Sequence, residues 1–123
     1  MPRISSKPRR ESEIQRAILA LKIPGLTLWK SGAGAFRVNG RFVRMGHKGV
    51  ADLIGYYTVW CNDGANKPTR PFAQIVAVEV KRLGKKPTPE QMAFLRNVKL
   101  AGGLAIVATS TQDVIDALSG LEQ

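Results

Sequence analysis

Residues 74–82, QIVAVEVKR, limit the fold of this chain more than any other segment. The run is almost continuously apolar and rich in β-branched side chains, the pattern of a buried strand at the centre of a sheet. Glu79 and Lys81 interrupt it. Side chains two apart on a strand point to the same side, so a carboxylate and an ammonium group sit together at the end of a buried element. Desolvating them is costly without a partner. On its own, such a pair reads first as a surface ion pair where the strand leaves the core.

The rest of the chain supplies partners for that strand. Ile14, Ala17, Ile18 and Leu21 recur at helical spacing and predict a helix over residues 11–22, stopped by Pro24-Gly25. LTLW (26–29) is a short strand. Asn39-Gly40 between two alternating segments predicts a hairpin whose two-residue loop pairs Arg37 with Phe42 and Val38 with Arg41. DLIGYYTVW (52–60) reads as a strand and the turn-rich residues 61–71 as a loop. Thr88, Pro89 and Gln91 form a capping-box signature opening a helix that ends at Gly102-Gly103. LAIVAT (104–109) is another buried strand, and Ser110 or Thr111 caps a last helix carrying Val114, Ile115 and Leu118. This order of elements predicts an α/β fold with a mixed central sheet flanked by helices, in one domain over residues 11–123 behind a flexible basic arm, 1–10.

A second acid changes the reading of Glu79. If residues 52–60 and 74–82 pair as an antiparallel hairpin, Asp52 falls within about two residues of Glu79. Two acids at one end of a hairpin repel each other unless a cation lies between them. Mg²⁺ suits this donor set, being a hard ion that takes oxygen ligands and keeps several waters for a substrate phosphate. Clusters of histidine or cysteine, which would favour zinc, are missing from the sequence. Asp52, Glu79 and the carbonyl of Val80 are the expected ligands. Lys81 would orient a water or stabilise charge developing at phosphorus. The chemistry implied is phosphodiester hydrolysis.

Charge points to the same substrate. The net charge of +10 is unevenly placed: residues 1–50 hold 11 Lys/Arg against 2 acids, and residues 51–123 hold 8 against 7. An excess concentrated in one half attracts a polyanion through counterion release, and nucleic acid is the expected partner. An anionic membrane surface is the competing reading, but no basic amphipathic helix with bulky apolar anchors is evident. No apolar run approaches the roughly 20 residues of a membrane span, and the basic start lacks the apolar region of a secretory signal, so a soluble, intracellular protein is expected. Cys61, the single cysteine, leaves no internal disulfide. SGAGAF and GHKG lack the lysine and Ser/Thr of a phosphate loop, so no nucleotide cofactor is expected.

Four segments together resemble the VRR-NUC domain, the virus-type replication-repair branch of the PD-(D/E)XK nucleases. They are E-x-x-I-Q (Glu11, Ile14, Gln15), G-V-A-D (Gly49 to Asp52), E-V-K (Glu79 to Lys81) and P-T-P-E-Q (Pro87 to Gln91). They stand in the family's order, and the resemblance covers the chain from Glu11 to about Leu118. Ala51 stands where members often carry proline, which affects local backbone and spares the aspartate. The resemblance implies a restriction-endonuclease-like core using Mg²⁺ or Mn²⁺. It puts the metal-binding acids at Asp52 and Glu79, the catalytic lysine at Lys81, the helix-one glutamate at Glu11 and a further site glutamine at Gln91. Glu11 is preferred to Glu13 because it shares a helix face with Gln15. Gln91 has a second reading as the capping-box residue alone.

Arg37, Arg41 and Arg44 on the hairpin, with Lys48 beyond it, are expected to lie along a nucleic-acid backbone, as are Lys85 and Lys86. The alternative for the hairpin is a solubilising role. Trp29, Phe36 and Phe42 are expected in the core, with stacking on unpaired bases as the other reading. His47 is expected to have no direct role. The resemblance also implies a stand-alone phage or bacterial enzyme acting on branched DNA such as four-way (Holliday) junctions. Symmetric cutting of two strands would call for a homodimer. The competing class is a non-catalytic DNA-binding or architectural protein on a nuclease-like scaffold, or a nuclease for flaps or ends.

Overall fold

The computed structural model describes residues 9–32, 34–45, 48–62, 64 and 69–121. The β-branched run of residues 74–82 becomes the last part of β5 (Thr69–Val80), the longest strand and an inner one. Its neighbours are β4 (Leu53–Asn62), antiparallel, and β6 (Leu104–Ala108), parallel, and β1 (Leu26–Lys30) pairs antiparallel with the other edge of β4. The result is a mixed four-stranded sheet, β1-β4-β5-β6. β2 (Gly34–Val38) and β3 (Arg41–Met45) form a separate hairpin. Its register, Arg37 with Phe42 and Val38 with Arg41, is the one the turn dictates: Asn39 and Gly40 both hold positive φ, 52° and 77°.

Strand alternation divides the core between two faces. Val76, Val78 and Val80 point to the face covered by α1 (Glu11–Leu19) and α3 (Thr111–Ser119), where they pack with Ile14, Ile18, Leu53, Ile106, Val114 and Leu118. Ala77 points the other way and packs under α2 (Pro89–Leu100) with Leu95 and Ala51. Glu79 shares this second face. α2 starts where predicted: Thr88 accepts from the backbone of Gln91, and the Gln91 side chain accepts from the backbone of Thr88. Ser110 caps α3 through Asp113.

Several expectations are corrected. α1 ends at Leu19, not Lys22, because the chain leaves the helix after the cap at Ala20, although Leu21 still packs on the core. The 61–71 loop is shorter than expected, since Cys61 and Asn62 belong to β4 and Thr69, Arg70 and Pro71 to β5. Pro71 is tolerated because β6 flanks β5 only from Val76 onward, so its missing N–H costs no ladder bond. At its other end β5 stops at Val80, leaving Lys81 and Arg82 just beyond the strand. Trp29 and Phe42 are not core residues, being 47% and 71% exposed. Trp29 lies on an edge strand, on the part of the α2 face that the helix does not reach, and Phe42 sits on the isolated hairpin. The side chains of Phe36 and Arg44, together with His47 and residues 1–8 of the expected arm, lie outside the described residues. Among the described residues, no helix is long and apolar enough to cross a membrane.

Candidate active site

The β4–β5 register carries the two acids to the same place. Leu53 pairs with Val78, and one step further along this antiparallel ladder sets Asp52 opposite Glu79, on the α2 face. Asp52 is fixed from both sides. Its carbonyl accepts from Ser31 N at 3.0 Å, extending the β1–β4 ladder, and its Oδ2 accepts from Val80 N at 2.8 Å. In an antiparallel strand a residue's N–H and C=O point to the same edge, so the Val80 carbonyl is turned toward the Asp52 side.

Glu79 is the one buried charged residue among those described, at 1% exposure. Its Oε1 lies 3.5 Å from Nζ of Lys81, while Oε2 is buried with no hydrogen-bond partner. Burial and the neighbouring Asp52 charge push its carboxyl up to about 7, against the opposing pull of Lys81. Asp52 is also raised, first by burial and further by the charge of Glu11, with the Val80 N–H and Lys81 acting against the shift. Lys81 is held at its backbone, where its N–H donates to Ala108 O at 3.0 Å.

α1 brings Glu11 to the same end of the sheet, where its Oε2 accepts from Arg82 N at 3.3 Å. Glu13 is exposed on the helix. Arg10, Glu11, Lys81, Arg82, Lys85 and Lys86 line an open cleft of about 500 Å³. Lys81 thus belongs both to the acid–lysine centre and to a cleft lined mostly by cations. Gln91 is near the loop entering the site: a Cβ on Gly49 would lie 2.9 Å from Gln91 N and 2.4 Å from Glu90 O, so residues 49–51 pack directly on the start of α2. The Gln91 side-chain oxygen is taken by the cap. Lys48 pairs with Glu90 at 3.3 Å. On the hairpin, Arg37 and Arg41 are exposed, and the Arg37 guanidinium lies over the Phe42 ring, 4.9 Å from its centre.

Neither a family model, nor a curated protein, nor a solved structure matches this chain.

Among the described residues no group of three His, Cys, Asp or Glu side chains converges as a metal cluster. Two carboxylates do face each other, one with an orphaned buried oxygen, beside a strand-end carbonyl. That set suits a hard divalent ion whose remaining positions are filled by water and substrate. Arg10 and Arg82 join the site without belonging to any of the sequence motifs. Their adjacency to Glu11 and Lys81 was the available signal, but the hydrogen bond joining Arg82 to Glu11 spans 71 positions and leaves no local trace.

Proposed function

We propose that the chain is a metal-dependent endodeoxyribonuclease of the VRR-NUC type, with a restriction-endonuclease-like core. The observation that carries this reading is the Glu79 carboxylate: buried, facing Asp52, paired through one oxygen with Lys81 and orphaned at the other. A buried acid in this state is expensive unless something binds it. Mg²⁺ or Mn²⁺ held by Asp52, Glu79 and the Val80 carbonyl would polarise a phosphate oxygen and acidify a water. Lys81 places a positive charge beside that centre, where it would hold the attacking water and offset charge gathering on the phosphate. The attacking water would give up a proton to solvent as its oxygen bonds to phosphorus, while the P–O bond to one sugar breaks and the departing oxygen takes a proton from solvent. Glu11 stays behind Arg82 and fixes the loop leaving β5. Arg10, Arg82, Lys85 and Lys86 bind phosphates flanking the scissile one, with Arg37, Arg41, Arg44 and Lys48 contacting the backbone further away.

The substrate we infer is branched DNA such as a four-way junction, cut by a homodimer in the cytoplasm of a bacterial or phage-infected cell during repair or replication. Cations that line the cleft and the hairpin suit contacts to the phosphate backbone, which support recognition by shape. A non-catalytic DNA-binding protein is the second reading, favoured by the occupation of Asp52 Oδ2 by the Val80 N–H. Labelled junction, flap and linear duplex, incubated with Mg²⁺, Mn²⁺ or EDTA, separate the two. Cleavage that vanishes in EDTA and in Asp52→Ala while binding persists supports the nuclease. Binding without cleavage in either metal supports the second reading.

A further inference from the structure

The sheet face that carries Asp52 and Glu79 also carries two aromatic side chains that the core does not use. Asp52, Ile54 and Tyr56 alternate onto this face, and Trp29, the register partner of Ile54, joins them. α2 covers Ile54 and Ala77. It leaves Trp29 at 47% and Tyr56 at 42% exposure. The two rings meet edge to face, with centroids 6.2 Å apart. Large aromatics usually contribute to a core, and here they are held on a regular ladder at the surface.

Their position relative to the acids is fixed by the sheet. Trp29 lies two residues along and one strand over from Asp52, about 8 Å between Cα atoms by ordinary strand spacing. That distance is roughly two nucleotides of a strand at ~3.4 Å axial rise each. Lys30, exposed, follows Trp29, and Thr27, exposed, pairs with Tyr56. The apolar surface continues to Ile75, the partner of Tyr56 on β5.

We propose that Trp29 and Tyr56 form a stacking platform for an unpaired nucleobase, one or two nucleotides from the phosphate held at Asp52 and Glu79. This rests on the nuclease reading of that site. The occupant is a nucleic-acid strand because the patch is continuous with the acid–lysine centre and belongs to a chain of net charge +10. Base–aromatic stacking is indifferent to sequence, since every base has a π face. The platform therefore selects for an unpaired base beside the cut, as at a branch point or flap, and against continuous duplex.

The test measures binding in EDTA, where no cleavage occurs, using a single-stranded oligo-dT of about 12 nucleotides and a blunt duplex of equal length. Trp29→Ala is expected to weaken oligo-dT binding about tenfold while duplex binding changes less than about twofold, and Trp29→Phe to restore most of the loss. The chain has two tryptophans, so Trp60→Phe leaves Trp29 as the sole indole reporter. Its fluorescence should be quenched on saturation with oligo-dT. Equal losses on both probes, an unquenched Trp29 at saturation, or failure of the wild type to bind oligo-dT each overturn the proposal. So does a Trp29→Ala protein that sediments as a smaller species with unchanged oligo-dT binding, which would assign the face to a second copy of the chain. Cleavage of a junction in Mn²⁺ is scored separately. Quenching without cleavage removes the nuclease reading and keeps the platform, and cleavage without quenching does the reverse.

Discussion

The ammonium group of Lys81 stands 3.5 Å from Oε1 of Glu79, and the other oxygen of that carboxylate is buried without a partner. Lys81 therefore balances part of the Glu79 charge and leaves the rest unmet. Burial and Asp52 push the Glu79 carboxyl from 4.5 to about 7. Between those values the folded, metal-free protein keeps a proton that the unfolded chain has released. Stability from this group is thus highest at acid pH, falls as pH rises through that window, and stays low above it. The penalty at pH 8 is on the order of 3 kcal/mol. Glu79→Gln should melt several degrees above wild type at pH 8 in EDTA, with the gap closing at pH 5. Melting curves that differ by the same amount at both values would contradict this account.

A divalent ion should reverse that penalty. At pH 8, Mn²⁺ or Mg²⁺ at about 100 times its dissociation constant should stabilise the wild type by about 2.7 kcal/mol, visible as a rise in melting temperature. Asp52→Ala and Glu79→Ala should lose the rise. Near pH 6.5 binding should expel part of a proton, because Glu79 must ionise to act as a ligand. Calorimetry in buffers of different ionisation enthalpy reads that proton directly. A metal-induced rise that survives in both alanine variants would place the ion elsewhere.

Lys81→Met tests the division of labour between holding substrate and cleaving it. With one of several cations gone, junction binding should fall only a few-fold, while the single-turnover cleavage rate drops by about 10²–10³. Loss of binding in proportion to cleavage would make Lys81 one more phosphate contact.

The pairing that defines the site was legible because it follows from local rules. Two strands, a turn-rich connection and a period of two put Asp52 near Glu79, and the ladder, ending at Leu53 and Val78, brings the two acids together one step beyond it. The Asn39-Gly40 register and the Thr88–Gln91 cap were readable for the same reason: each depends on residues a few positions apart. The exposure of Trp29 and Phe42 is not legible in the sequence, because hydrophobicity cannot say how far α2 extends over the sheet, or that β2 and β3 stand apart from it. The place of Arg82 is likewise not legible, because its contact with Glu11 exists only once α1 and the end of β5 have packed together. Residues 69–71 look like loop in sequence because proline marks turns, whereas in the fold Pro71 lies beyond the reach of β6.

Salt dependence distinguishes cations that face the cleft from those already engaged. Lys85 and Lys86 line the cleft, whereas Lys48 is paired with Glu90 at 3.3 Å. Each phosphate contact contributes about 0.9 to the slope of log K against log salt on duplex DNA. The double variant Lys85→Ala, Lys86→Ala should lower that slope by nearly 2, with a uniform loss across sequences. Lys48→Ala should change it much less. Equal slopes for the double variant and wild type would remove the cleft from the binding surface.

Gly49 ties the site to the helix behind it. Its φ is +80°, and an added Cβ would lie 2.4 Å from the Glu90 carbonyl oxygen at the start of α2. Gly84 has a similar φ, +88°, but open space around the position of its Cβ. Alanine at either place incurs the left-handed backbone cost, roughly 1 kcal/mol. At Gly49 the clash adds about 1–3 kcal/mol, because the neighbour is backbone and has to move. Gly49→Ala should therefore melt well below Gly84→Ala. It should also weaken Mn²⁺ binding, since the displaced segment leads straight into Asp52. Equal melting temperatures for the two variants would mean that residues 49–51 and α2 yield to each other freely, and the packing would then not be what positions the aspartate.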